Sequence, residues 1–217
     1  MLKKILDGVS AGLMIIIGCS VFLACESKIV GAVMFAVALI TICFKGQSLF
    51  TGKVGFIVES HKKEDFSVLL LGLLGNAIGT ILFGLLVYIA LPNLQVVAEI
   101  LLYAKLEQTF IQTFIRAIFC GVLMYVAVSV FKENKSIAGI IFCVPVFILS
   151  GFEHSIADMG YFAISGVVSL EAFTFILTVI LGNAIGGMLI PLLSGKLVAN
   201  KKETLTNDEE KSNEEIG

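Results

Sequence analysis

A ten-residue segment at positions 150–159 carries the groups most able to do chemistry in this chain. It reads Ser-Gly-Phe-Glu-His-Ser-Ile-Ala-Asp-Met and lies between apolar residues 138–149 and 160–168. Imidazole, the side chain of His154, is the side-chain group that ordinarily titrates near neutral pH, and a carboxylate such as that of Glu153 accepts hydrogen bonds. Ionisable groups inside a membrane are costly unless they line a cavity filled with water or solute. The pattern therefore indicates a solute pathway at Glu153 and His154.

The element that positions these groups is predicted to be a broken helix. Gly151, with Ser150 and Ser155 beside it, predicts an interruption over residues 151–158. A second interruption is predicted at 45–53, where two glycines and two lysines divide another apolar run. Irregular backbone at membrane depth is tolerated only where protein or a pore satisfies its polar groups.

The composition predicts an all-α integral membrane protein. The chain has 217 residues, of which 58% are hydrophobic and only 15% charged, and its mean hydropathy is +1.01. A soluble domain of this length would need more polar residues to cover its surface. The net charge of −2 gives no reason to expect a nucleic-acid partner.

Other chemistries find little support in the residues. The five cysteines are scattered through apolar runs without CxxC spacing, which is typical of buried free thiols, so neither a metal site nor a cofactor is expected. The spans hold one histidine, and HExxH and GxSxG motifs are missing from the sequence. An enzyme is therefore not expected.

Six apolar spans are predicted, at about 5–25, 29–58, 66–91, 109–131, 138–168 and 172–193. The connection at 93–108 is expected to hold an amphipathic helix, and 59–65 a charged loop in which His61 is solvated. Residues 1–199 are predicted to form the channel domain, and 200–217 a disordered cytoplasmic tail. The lysines outside the spans collect on one side of this topology, which places both termini in the cytoplasm.

A six-residue repeat divides the spans into two units. The sequence Leu-Gly-Asn-Ala-Ile-Gly occurs at 74–79 and again at 181–186, 107 residues later. Repeat one would cover about 5–91 and repeat two about 109–197, and three spans each make the second copy inverted. In such proteins the solute site lies near the midplane, where the breaks meet. The glycines alone would also fit ordinary helix packing.

These breaks and motifs resemble the formate/nitrite transporter family. The resemblance rests on Gly151-Phe-Glu-His-Ser-Ile-Ala with Met159, on Leu49-Phe-Thr51 and on Gly182-Asn183. It implies six transmembrane helices as two inverted three-helix repeats, aquaporin-like, with the second helix of each repeat broken, in a homopentamer with one pore per protomer. Glycerol and water channels use paired Asn-Pro-Ala motifs, whereas Asn183 and Asn76 are followed here by alanine and isoleucine.

The resemblance also implies roles for individual residues. His154 matches the central pore histidine, Thr51 the threonine that faces it, Lys105 a lysine near the outer vestibule, and Asn183 a pore-adjacent asparagine. Hydrophobic residues of two constrictions are matched by Phe35, Leu39, Leu49 and Phe147. Two positions depart from the family pattern, Gly121 and Asp158, each in place of an asparagine. These departures and the short loops resemble the hydrosulfide channel branch.

Alternatives remain open for several of these residues. Phe35 and Leu39 share a helix face, which core packing would explain equally well. Lys105 is either an anion-attracting group or an ordinary surface lysine. His154 either exchanges a proton or is a neutral hydrogen-bond donor held by Thr51 or backbone. Glu153 is expected, with Gly151, to brace the break by accepting hydrogen bonds from backbone N–H groups.

The predicted function is a channel for small monovalent weak-acid anions in the cell (inner) membrane. Hydrosulfide is the first choice and formate or nitrite the next. A narrow apolar ring strips hydration from an anion without compensation but costs a neutral acid little, so the constrictions would filter charge. The alternative is a proton-coupled secondary transporter of formate or nitrite. The partners expected are the lipid bilayer and further copies of the chain.

Overall fold

The computed structural model describes residues 1–60 and 63–194, and regular structure in those residues is helical. The first half of the chain forms α1 (Leu2–Ala24), α2 (Lys28–Lys45), α3 (Phe50–Lys53), a 3-10 turn (Val54–Phe56), α4 (Ile57–Ser60) and α5 (Lys63–Ala90). The rest forms α6 (Pro92–Leu106), α7 (Phe110–Asn134), α8 (Ala138–Leu149), α9 (Ser155–Ser165) and α10 (Leu170–Leu193). The predicted tail at 200–217 and His61 lie outside the described residues.

Within the described residues, five helices are long and apolar enough to cross a membrane: α1, α2, α5, α7 and α10. The predicted fifth span is instead two shorter helices, α8 and α9, on either side of an interruption. Large apolar side chains of these helices point outward, among them Leu74, Ile78 and Leu82 of α5. An outer surface of that kind suits contact with lipid and not with water.

Several predicted boundaries differ from the structure. The second interruption is confined to residues 150–154, because Ser155 to Asp158 already form the first turn of α9. That helix ends at Ser165, three residues before the predicted end at 168, because Gly166 takes a left-handed conformation with φ +73°. The predicted loop at 59–65 is helical at both ends, in α4 and α5. A helix in the predicted connection at 93–108 is confirmed as α6.

Glycines of the repeated hexapeptide allow two pairs of long helices to touch. α5 packs against α1, where a Cβ atom on Gly79 would lie 3.0 Å from the Cα of Val9. α10 packs against α7 in the same way, and a Cβ atom on Gly186 would lie 3.0 Å from the Cα of Ile118. Small residues at such crossings let backbones approach closely in membrane proteins. The packing interpretation of these glycines is therefore confirmed.

A methyl group at Gly79 tests this packing. Gly79→Ala should lower the free energy of unfolding by about 1–3 kcal/mol, because the added atom forces α5 away from α1. Thermal unfolding of the purified protein in detergent measures the loss. Ile78→Ala is the control, since Ile78 is 43% exposed on the outer face of the same helix. Equal melting temperatures for the two variants would contradict the close contact.

Candidate functional site

The two interruptions begin with the same backbone conformation. Gly46 follows α2 with φ +66°, and Gly151 follows α8 with φ +69°. Left-handed φ values of this kind favour glycine. The two glycines are 105 residues apart, which is two fewer than the offset of the repeated hexapeptide.

The first interruption is held by the amide of Asn76 on α5. Its Oδ1 accepts a hydrogen bond from the backbone N–H of Phe50, at 2.9 Å. Its Nδ2 donates to the backbone carbonyls of Ser48, at 2.7 Å, and of Gly8, at 2.9 Å. Asn76 is fully buried and thus ties α1, the break and α5 together.

The second interruption is held in the same way by Asn183 on α10. Its Oδ1 accepts from the backbone N–H of Ser155, at 2.8 Å. Its Nδ2 donates to the carbonyls of Glu153 and of Ala117, each at 2.8 Å. The partners beside the break are again 105 residues beyond those of Asn76, so a uniform shift of 107 misaligns the breaks by two residues.

Thr51 and His154 join the two interruptions directly. The hydroxyl oxygen of Thr51 lies 2.9 Å from Nε2 of His154, and both side chains are buried. Nδ1 of His154 accepts the backbone N–H of Ala157 at 3.1 Å and so caps the start of α9. A neutral imidazole whose Nδ1 accepts carries its proton on Nε2, which therefore donates to Thr51. This geometry matches the neutral-donor alternative for His154.

Aromatic rings continue from His154 on one side. The imidazole stacks on Phe147 of α8, with ring centroids 5.5 Å apart and an interplanar angle of 24°. Phe147 in turn meets Phe35 of α2 edge to face, at 6.2 Å and 88°. The two phenylalanines predicted for a constriction are thus in contact with each other and with the central histidine.

Leu39 and Leu49 line a cavity of about 550 Å³ beside the first interruption. Both leucines are buried, and Leu39 lies one helical turn from Phe35 on α2. Charged residues of α3 and of the α4–α5 and α7–α8 regions also line this cavity, namely Lys53, Glu59, Asp65, Lys132 and Lys135. The two leucines therefore belong to the wall of a cavity that also carries charged side chains.

Lys105 is only partly exposed and lies in a cluster of charges, contrary to the surface-lysine alternative. Its ammonium group forms an ion pair with Glu153 and a second with Asp158, at 3.0 Å, and its side chain is 13% exposed. The other carboxylate oxygen of Glu153 accepts from Nε2 of Gln108, at 2.6 Å. The expected backbone N–H donors to Glu153 are thus replaced by two side chains at the end of α6.

The departure at Gly121 lies at the crossing of α7 and α10. A Cβ atom there would lie 2.9 Å from the Cα of Asn183 and 2.8 Å from the backbone nitrogen of Gly187. An asparagine would not fit this contact, so the position serves helix packing here.

Sequence reasoning missed three members of the site. Asn76 appeared only as part of a repeat, although its identity with Asn183 in the repeated hexapeptide signals a shared role. Gln108 and the ion pair of Asp158 with Lys105 carry no local pattern, because their partners lie 45 and 53 residues away along the chain.

The sequence model of the formate/nitrite transporter family matches residues 1–194. This chain belongs to that family. The predicted resemblance is thereby confirmed at the level of the family, and the chain is a multi-pass membrane protein of a formate/nitrite transporter type and not an enzyme.

Relatives within the formate/nitrite transporter family are named as transporters or channels. The chain is 28% identical to the uncharacterized transporter YwcJ of Bacillus subtilis, over 73% of this chain and 70% of that protein. It is 29% identical to the nitrite transporter NirC of Escherichia coli, over 70% of this chain and 65% of that protein. It is 31% identical to the formate channel FocA of Escherichia coli, over 61% of this chain and 52% of that protein.

Solved structures share the fold of this family member. One is an FNT family ion channel, with a TM-score of 0.74 and 24% identity over 87% of this chain and 85% of the other. A second is a pentameric formate channel with formate bound, with a TM-score of 0.70 and 23% identity over 91% of this chain and 97% of the other. At these sequence identities the structural similarity shows that the chain shares the helical fold of these two proteins, and it shows no more than that.

Replacing Asn183 with aspartate tests the role of the amide. Asn183→Asp keeps an acceptor for Ser155 but removes both donors, so the carbonyls of Ala117 and Glu153 lose their partner. A buried group left without its partner costs about 1–3 kcal/mol. The melting temperature in detergent should therefore fall sharply. Asn93→Asp is the control, because Asn93 is exposed on α6. A melting temperature of Asn183→Asp equal to that of the wild type would contradict the role of this amide in holding the second interruption.

Proposed function

We propose that this protein is a channel for small monovalent weak-acid anions, with hydrosulfide as the first candidate and formate or nitrite next. The observation that carries the proposal is the hydrogen bond between Thr51 and His154, which joins the two interruptions. Polar groups at such a depth are rare unless they serve a pathway. The names of the relatives, nitrite transporter and formate channel, support the class of solute.

Apolar side chains on either side of this pair act as charge filters. Leu39 and Leu49 border the cavity, and Phe35 and Phe147 border the ring of His154. A bare anion in such a ring loses hydration that nothing replaces, whereas the neutral acid of the same solute loses little. The solute therefore arrives as an anion, takes up a proton from water before the apolar residues, and crosses them as the neutral acid.

His154 serves this passage as a neutral hydrogen-bond donor. Its Nδ1 is occupied by the N–H of Ala157, so a second proton on the ring would break the cap of α9. Its Nε2–H and the hydroxyl of Thr51 together offer two donor hydrogens to a solute that enters between them. Two donors and no carboxylate at this point favour a small acceptor such as hydrosulfide or a carboxylic acid.

The proposal also covers how the spans are arranged in the membrane and how the protomers assemble. The spans form two inverted repeats, supported by the equivalent hydrogen bonds of Asn76 and Asn183. Both termini face the cytoplasm across the cell (inner) membrane, supported by the lysines outside the spans. The assembly is a homopentamer with a pore in each protomer, for which the pentameric formate channel of the same fold is the model.

A proton-coupled secondary transporter is the second candidate. It is favoured by the buried carboxylates of Glu153 and Asp158, which lie within four residues of His154. Chains of such groups carry protons in pumps and transporters. Accumulation of anion against its gradient when a proton gradient is imposed would identify the transporter, and simple equilibration would identify the channel.

Uptake into liposomes that contain the purified protein tests the proposal. Hydrosulfide, formate and nitrite should enter, while glycerol should be excluded because its three hydroxyl groups would lose their hydrogen bonds to water among the apolar side chains. Liposomes without protein give the background. Glycerol that enters as fast as the anions would mean a pore for neutral solutes, and the proposed pathway would be wrong.

His154→Asn separates the two roles considered for the histidine. Loss of the Nε2–H donor should slow uptake about three- to tenfold, the equivalent of one hydrogen bond. The dependence of uptake on pH should keep its wild-type shape, because a ring that only donates a hydrogen bond exchanges no proton with the solute. Uptake at a series of pH values measures both, and Thr51→Val serves as a matched loss of the partner. A flattened pH profile in the asparagine variant would show that His154 itself exchanges the proton.

A further inference from the structure

With Asp158, the charged cluster at the end of α6 contains more carboxyl groups than ammonium groups. The cluster holds one ammonium group, on Lys105, and two carboxyl groups, on Glu153 and Asp158. The carboxyl side chains of Glu153 and Asp158 are only 2% and 1% exposed. With all three groups ionised the cluster carries a net charge of −1, since one positive charge faces two negative ones. An uncompensated buried charge is strongly unfavourable, and a buried group in that position takes up a proton instead.

We propose that Asp158 holds an exchangeable proton on its Oδ2 atom, and that this proton controls the passage of anions. Oδ1 of Asp158 already faces Lys105, at 3.0 Å. No N–H or O–H group of the described residues hydrogen-bonds to Oδ2, although this atom is buried. Glu153 differs, because Lys105 and Gln108 each donate to one of its oxygens. Both oxygens of Glu153 thus have donors, whereas Oδ2 of Asp158 has none, and this difference assigns the proton to Asp158.

The surroundings of Oδ2 lead to the same assignment. Lys105 contacts one oxygen of Glu153 and one oxygen of Asp158, so the two carboxyl groups share a single cation. The backbone N–H groups of Ser155 and Ala157, in the first turn of α9, are taken by Asn183 and His154 and donate nothing to Oδ2. A buried carboxylate oxygen without a donor is costly, and a proton on that oxygen removes the charge.

A second buried oxygen lies one helical turn before the carboxyl group. The hydroxyl of Ser155 is fully buried and also lacks a hydrogen-bond partner among the described residues. Positions three apart lie on the same helix face, so Ser155 and Asp158 share it. The titratable groups around Asp158 are Lys105 on α6, Glu153 in the break, Tyr161 on α9, Cys19 on α1 and Cys120 on α7.

Exchange of this proton switches the charge of the cluster. When the Oδ2–H bond breaks, its electron pair stays on Asp158 and the proton passes to water, to which Lys105 is 13% exposed. The cluster then changes from neutral to −1 next to His154, and a negative charge beside the pathway repels an anion. This inference rests on the proposed channel function, and it adds that Asp158 gates the channel with pH.

Asp158→Asn fixes the cluster in its neutral state and tests the gate. Uptake of formate by the variant is divided by wild-type uptake at each pH, so that protonation of formate itself cancels. The ratio should be constant at low pH and rise about tenfold at high pH, the size of the repulsion between unit charges roughly 10 Å apart at an effective dielectric constant of about 20. Glu107→Gln is the matched control, an exposed carboxylate near Lys105 on the chain, and its ratio should stay flat.

Infrared spectroscopy gives a readout that does not depend on transport. The wild-type protein should show the C=O stretch of a protonated carboxyl group, lost on raising the pH, and Asp158→Asn should lack this band. A band with the expected pH dependence supports the proton on Asp158 even if no anion is taken up, in which case only the channel function fails. The proposal is overturned by a ratio that does not change with pH, or by a wild-type spectrum without a band that the variant removes.

Discussion

Backbone groups released by a broken helix need partners, and in this protein two asparagine side chains supply them. A membrane interior offers no water to an interrupted backbone, so an unpaired N–H or C=O group there costs several kcal/mol. Asn76 and Asn183 each satisfy one N–H group and two carbonyl groups. The amide is suited to this task because it offers an acceptor and two donors on one short side chain. The positions of Thr51 and His154 depend on these bonds.

Charge and apolar surface occupy separate parts of the site. His154, Thr51 and the rings of Phe147 and Phe35 form a stretch without formal charge, while the charges of Lys105, Glu153 and Asp158 lie at the end of α6. Under the proposed function, this separation would let a field act on an anion before it reaches the apolar side chains. An uncompensated charge in the cluster would then act strongly, since little water is present to screen it.

Prediction from sequence was most reliable where chemistry was local. Gly151 and the polar residues around it predicted the second break, and hydrophobic length predicted the long helices. The family resemblance paired Thr51 with His154, whose contact spans 103 residues. The partners of Lys105 could not be predicted, because no periodic pattern links α6 to the start of α9. The offset of 107 residues between the two repeats was taken from the hexapeptide. It did not align the two breaks, because the second break lies two residues farther from Asn183 than the first break lies from Asn76.

The bonds of the two asparagines have a consequence for assembly of the chain. Among the described residues, the side-chain amide of Asn76 hydrogen-bonds to residues between Gly8 and Phe50, and that of Asn183 to residues between Ala117 and Ser155. Each half therefore contains the partners that these amide bonds need to hold its own broken helix. A ribosome that has released the first three spans has already released every group needed to complete the first break. The hydrogen bond between Thr51 and His154 would then join two halves whose breaks are already held, so that a late step of folding in the membrane is the packing of one half against the other.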